Sequence, residues 1–563
     1  MVFRAINHSY KVKSPEGSWN GEFEMKNSTR NQWAAIAIVS SILALGSWAV
    51  SSPVGSGPDD DFHNASIWCG QGIREDFCEE GSSPDSVLVP ETVIVNSFCF
   101  AQQPDNSGAC PQSTEMVETS RTNFTSNVYP TIYYWTMSLF TTPDIPGSIL
   151  SMRIFNSVLV VLLFAITLIA LPNHLRRTPL FGFIFSSVPL GLFLVSSVNP
   201  SGWSYASVLL FFAAALGFLS AKENKQRAMF GALSVVSLLM GVGSREDTPA
   251  YLLLAGILAW ILTFSSKNFN RLIPIFGVGL AVLISVFVFL TFTSQSFIGY
   301  IIRGFDWYGG VTTLGALIQN FLRLPDLWVG AFGTWGLGWL DTPLPSSVWT
   351  VTLGIFVSLV FGSIHYFGRL QKLAFFFVAL ALVVVPMYTL SVNGLLVGQI
   401  IQPRYLLPLL GLLMAVALYR DSSIGGIKLS RSQLLIIGLG LSVANAISLH
   451  TNLRRYLTGL DENQVSLNYE IEWWWVERPT ADSILWFSPN YVWLAGSLCF
   501  ALLLFSLWKM RFELGISAEH LESPLDVRST DPWLDQTKAS DQRSWFRRIF
   551  KARKKDLAKT AKP

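Results

Sequence analysis

Charge is what this sequence has least of. Asp, Glu, Lys and Arg make up 14% of its 563 residues and histidine occurs six times, whereas soluble domains carry about 25% charged residues. A chain this poor in charge lacks the polar surface that a soluble globular domain needs. It also lacks a glycine-rich phosphate loop after a strand pattern and any His–Cys array with zinc spacing, which argues against ATP-driven transport by this chain alone and against a zinc centre.

What is present is apolar. Hydrophobic residues reach 51% and mean hydropathy is +0.42. Stretches near the roughly 20 helical residues that cross a bilayer recur at 33–50, 149–171, 180–198, 204–220, 228–244, 249–266, 272–294, 346–368, 373–392, 405–419, 433–450 and 490–508. The expected fold class is an all-α polytopic membrane protein with about twelve transmembrane helices. Lys and Arg gather in alternate connections such as Arg176-Arg177, Lys222 to Arg227 and Arg369 to Lys372. Basic loops are retained in the cytoplasm, which places both termini there and the chain in the inner (plasma) membrane. The net charge of +3 then reflects basic cytoplasmic turns, and no nucleic-acid partner is expected.

This topology divides the chain into a cytoplasmic segment 1–32, a membrane domain 33–508 and a basic cytoplasmic tail 509–563. The span from Trp33 reads as a retained anchor, because the polar segment before it is too long for a cleaved leader. In the tail, Trp545, Phe546, Ile549 and Phe550 lie opposite Arg547, Arg548 and Lys551, the spacing of a helix lying on anionic lipid; a disordered tail is the alternative.

Three extracytoplasmic segments, 51–148, 295–345 and 451–489, exceed what hairpin loops need and are rich in aromatics, so they are expected to fold on the membrane surface. Four of the five cysteines, Cys69, Cys78, Cys99 and Cys110, fall in the first of them. Disulfides form outside the cytosol, and the local pairings Cys69–Cys78 and Cys99–Cys110 are expected among the three possible. Asn64-Ala65-Ser66 and Asn123-Phe124-Thr125 are sequons on the same side.

Several constellations carry polar chemistry. Pro58-Asp59-Asp60-Asp61-Phe62-His63 follows the first span. It reads either as an acidic helix start or as a site in which one aspartate takes a proton from a hydroxyl or the cluster holds a divalent cation, Mg or Mn. Tyr129, Tyr133 and Tyr134 precede the second span, which carries Arg153 and Asn156 on one helical face. Arg153 either snorkels or binds a lipid phosphate. Arg245, Glu246 and Asp247 form a charged turn, which is either merely solvated or part of the site. Gln402, Arg404 and Tyr405 open the tenth span, and Arg404 is the charge best placed to bind a phosphate. Phe305 to Tyr308, Trp328, Trp335, Trp339 and Trp473 to Trp475 read as an interfacial belt or as surfaces for a sugar or a polyprenyl chain. Arg454-Arg455 reads as a surface basic pair.

One span followed by a large outer loop opening on Pro58 to His63, the Tyr129–Tyr134 segment, Arg153 with Asn156, Arg245 to Pro249, Gln402 to Tyr405 and Arg454 to Gly459 together resemble the GT-C superfamily of membrane glycosyltransferases. They are more closely similar to a bacterial domain-of-unknown-function family of membrane proteins with a GT-C-like layout. The resemblance implies that Asp59, Asp60 or Asp61 is a catalytic base or metal ligand and that Glu246 or Asp247 corresponds to a second acidic site. It also implies that a polyprenyl-phosphate sugar is the donor, with its phosphate met by outer arginines. The acceptor would be an envelope glycan or lipid. A transporter or flippase for a lipid-linked or anionic solute, and a non-catalytic envelope-assembly protein, are the alternatives.

Overall fold

In hydrocarbon every backbone amide must be satisfied within its own segment, so long apolar stretches fold as helices. The computed structural model describes residues 27–264, 313–392, 394–399, 401–420, 429–461, 465–468, 473–475 and 488–510. Nearly all of them belong to one unit, Met1–Ile427 with Ser432–Ile516; of the other, Lys428–Arg431 with Ser517–Pro563, residues 429–431 are described.

The chain opens with α1 (Asn27–Val50), then folds a polar segment before its next long helix. That segment holds α2 (Asp60–Trp68), strands β1 (Glu79–Glu80) and β2 (Val87–Pro90), α3 (Glu91–Val95), β3 (Met116–Thr119), α4 (Asn123–Ser126) and α5 (Thr131–Ser138). The strands pair antiparallel in the order β1-β2-β3, with Val87 opposite Thr119 and Pro90 opposite Met116. The all-α expectation is corrected here: the protein is mostly helical with a small sheet, whose strands of two and four residues are too short to show an alternating pattern. Both local disulfides, Cys69–Cys78 and Cys99–Cys110, are formed. Both sequon asparagines are buried: Asn64 is 0% exposed, and Asn123 donates to the Tyr129 carbonyl. Neither presents its amide for glycosylation in the folded chain.

The bundle continues with α6 (Ile145–Ala170), α7 (Asn173–Ser187), α8 (Leu190–Val195), α9 (Pro200–Ser220), α10 (Asn224–Val242) and α11 (Thr248–Thr263). After 265–312, which lie outside the described residues, come α12 (Thr313–Val329), α13 (Ser346–Ile364), α14 (Arg369–Val392), α15 (Leu407–Ala417), α16 (Arg431–Leu457) and α17 (Pro489–Lys509). Local chemistry sets the starts. Asp144 accepts from Gly147 N at 3.1 Å ahead of α6, and Asn199 from Ser201 N at 2.9 Å ahead of α9, each satisfying an amide that the first helical turn leaves unpaired.

Among the described residues, seven helices, α1, α6, α9, α13, α14, α16 and α17, are long and apolar enough to cross a membrane. Four other expected spans are helical but less complete: 180–198 breaks into α7 and α8 at Val188–Pro189, 228–244 forms α10, and α11 and α15 are apolar but short. The expected span 272–294, Phe305 to Tyr308 and the tail beyond Met510 lie outside the described residues. α9 is the central helix, with 89% of its apolar window buried against 28% for α13, α14, α16 and α17. Those outer helices expose large apolar side chains such as Phe361, Phe376 and Leu439, as lipid-facing surfaces do. This is a multi-pass membrane protein.

Candidate functional site

Where α1 ends, Ser51 to Pro58 run as buried, irregular backbone. Such backbone is stable only if its polar groups find partners, and here ten consecutive carbonyls do. Arg153 donates to Ala49, Ser52 and Pro53 at 3.1, 2.5 and 2.7 Å. Trp475 donates to Val50, Asn452 to Ser51, Asn96 to Val54, Trp339 to Gly55, Tyr456 to Ser56 and Asn199 to Pro58, all between 2.8 and 3.4 Å. Gly57 O receives the Asp60 amide at 3.1 Å.

This rigid base presents Asp59. Its backbone stands in the left-handed region (φ 61°, ψ 25°), which short polar residues tolerate best after glycine. Its carbonyl opens α2, accepting from Phe62 N and His63 N, but its carboxylate makes no cap. Instead Asp59 Oδ2 accepts from Arg404 Nη2 at 2.5 Å, and Oδ1 lies 3.5 Å from Arg121 Nη2. Burial raises the Asp59 pKa, but Arg404, with His63 and Arg121 adding to it, holds the carboxyl below its ordinary 3.8. With a side chain 36% exposed, Asp59 is an ionised and reachable carboxylate.

The two following aspartates point elsewhere. Asp60 is buried; its Oδ2 accepts from Gly57 N at 2.7 Å and its Oδ1 has no partner. Burial pushes its pKa up to about 7, against the pull of Arg153. Asp61 holds Arg121 through two contacts, at 2.5 and 3.3 Å. Asp59 and Asp61 thus share the Arg121 guanidinium while Asp60 turns to Gly57, and among the described residues no group of three or more His, Cys, Asp or Glu side chains converges on a metal position. These donors do not fit a divalent cation.

Arg404 sits in a one-turn 3-10 helix, Pro403–Tyr405, and its side chain is 2% exposed. Its Nη2 serves Asp59 and the Tyr405 hydroxyl, while Nε and Nη1 are buried without partners. Beside it opens a hollow lined by Pro58, Phe193, Trp335, Gln402 and Pro403. Arg245 lies 4.1 Å above the Tyr405 ring and 5.9 Å from that of Tyr129, and Asp247 holds it by two bonds of 3.0 and 3.2 Å. His63 shares a 2.8 Å hydrogen bond with the Tyr134 hydroxyl and meets Tyr129 edge-on. Burial pushes the His63 pKa down to about 3, so its ring is neutral. Tyr133 packs edge-on against Trp203. Asp59, His63, Tyr129, Tyr134, Arg245, Asp247, Gln402, Arg404 and Tyr405 thus gather at one end of the bundle, with exposed Glu246 at the margin.

Two residues chosen from the sequence have other work. Arg153 neither snorkels nor faces a ligand, because its guanidinium serves the end of α1. Asn156 is spent on Ser197 O and Trp203 Nε1, both at 2.9 Å. Arg454-Arg455 is not a surface pair. Arg455 is 0% exposed and donates to the Phe100, Gln103 and Asn106 carbonyls and to Asp341 at 2.9 Å, clasping the Cys99–Cys110 loop. Two residues that sequence reasoning missed are Arg121 and Asp341; each is an isolated charge whose partner is distant along the chain.

The model of a family described as a predicted membrane protein, DUF2142, matches residues 42–413. The chain belongs to this family. The DUF2142 match takes in every residue around the Asp59–Arg404 pair and stops before the Arg455 clasp and α17. No curated protein and no solved structure matches the chain.

Proposed function

We propose that this DUF2142 member is a membrane glycosyltransferase of GT-C type, moving a sugar from a polyprenyl-phosphate donor to an envelope glycan or lipid on the outer face. The twelve-span topology with both termini in the cytoplasm belongs to this reading, since it puts the end bearing Asp59 outside. The observation that carries it is the meeting of Asp59 with Arg404, 345 residues away, beside two buried guanidinium nitrogens without partners.

The acceptor hydroxyl attacks the anomeric carbon of the donor sugar, the bond from that carbon to the phosphate oxygen breaks, and the hydroxyl proton passes to Asp59. The phosphate leaves with its charge met by Arg404, whose free nitrogens suit two oxyanion contacts, and Arg245 adds positive charge behind Tyr405. Donor binding also competes with Asp59 for Arg404. That loosens the pair and raises the basicity of Asp59 when a base is needed.

The test compares single variants in membranes supplied with radiolabelled polyprenyl-phosphate sugars. Asp59→Asn is expected to lose at least about 100-fold in transfer, while Asp61→Asn, which releases Arg121, stays within about tenfold of the parent. Transfer by Asp59→Asn at the parent rate, or a parent inert toward every such donor, would overturn the assignment.

A further inference from the structure

α12 does not behave as a span or as a surface loop. Leu314, Ile318, Phe321 and Leu322 are 53–70% exposed and share one helical face by their spacing. The opposite face is partly buried and tied to α14, with Arg323 and Asp326 forming a half-exposed ion pair along its edge. Asn320 bonds Leu395 O and Val397 N at 2.9 Å, and Arg323 donates to Val397 O, just beyond the end of α14. Eight residues further on, Trp328 Nε1 donates to Leu382 O at 3.0 Å. That carbonyl is available because Pro386 has no amide to offer it. Leu382 lies ten residues before the end of α14, a depth on the order of 15 Å.

The chain then turns back. Gly330 packs against Pro403 so closely that a Cβ would stand 2.3 Å from its Cγ, Trp339 reaches Gly55, and Asp341 reaches Arg455 at the end where α12 began. α14, to which α12 is tied, also exposes Leu380 and Val384. We infer that α12 is a half-inserted helix, descending beside α14 and returning through 330–345, with its outward stripe facing the acyl chains of the surrounding bilayer. This assignment stands independently of the catalytic one.

The full chain carrying Cys499→Ser is given Leu314→Cys or Leu322→Cys, labelled with bimane and placed in phosphatidylcholine vesicles brominated at shallow or deep acyl positions. Position 322 should be quenched, most by shallow bromines, and position 314, about 12 Å further out along the helix, more weakly. Equal, shallow quenching at both positions would overturn insertion. No quenching at either, while a Leu439→Cys label on α16 is quenched, would show the stripe covered by protein. On the unsubstituted chain, a diazirine phospholipid should crosslink within 313–329; crosslinks elsewhere but not there would also refute it.

Discussion

Arg153 and Arg404 are both buried arginines at the same end of one bundle, yet their guanidinium groups are treated in opposite ways. Arg153 spends both terminal nitrogens on three carbonyls and Ser56, leaving Nε alone without a partner, and the polypeptide around it is locked. Arg404 gives one nitrogen to Asp59 and Tyr405 and leaves two unpartnered. A buried donor without a partner costs on the order of 1–3 kcal/mol, and such a cost is retained where a ligand can offset it. The comparison separates an arginine that builds from one that waits for an anion.

The strongest way to break that comparison is Arg153→Leu. It strands three carbonyls, and at about 1–3 kcal/mol each the variant is expected to fail to accumulate as a monodisperse species after detergent extraction. Arg455→Leu extends the test to a second structural arginine. Asp341 would be left buried without its cation, keeping only the Gln102 amide and the Thr342 hydroxyl, a loss of about 3–5 kcal/mol, read as a lower unfolding temperature and faster proteolysis within 99–110.

Asp60 yields a smaller effect with a defined sign. Its folded pKa of about 7 lies above the ordinary 3.8, so between those values the native state holds a proton that the unfolded chain has released. Stability therefore falls as pH rises through that window, by at most about 1.4 kcal/mol per unit, and is level above it. Asp60→Asn should flatten the unfolding profile between pH 4 and 7; parallel profiles would show that Asp60 does not titrate there. Arg404→Gln should change stability least, by under about 1 kcal/mol, because the Asp59 carboxylate it leaves is partly exposed and keeps Arg121. It should nonetheless lower transfer at least about 100-fold. An Arg404→Gln protein as unstable as Arg455→Leu would place Arg404 with the structural arginines.

What could be read from the chain follows the same division. Asp59 and Arg404 were visible because each is a charge next to a long apolar run, where its cost demands a reason, and the local disulfide pairing was the one expected of the three that four clustered cysteines allow. Arg153 was visible but misread. Its partners are carbonyls about 100 residues earlier, and a carbonyl has no signature in a sequence. The Arg455–Asp341 clasp and the Arg121–Asp61 pair were illegible because each partner lies 60 or more residues away along the chain, and the strands because they are too short to alternate. The span count suffered where Pro189 interrupts an otherwise apolar stretch.

The ten satisfied carbonyls at the end of α1 also set a timetable. Val50 waits for Trp475, 425 residues later, and Ser51 for Asn452, 401 residues later. At synthesis rates of about 5–20 residues per second, the stretch beneath Asp59 remains incompletely paired for roughly 20–85 s after it is made. During that interval it depends on water, lipid headgroups or the insertion machinery for its hydrogen bonds. The base of the site is therefore made well before the segments that finish it.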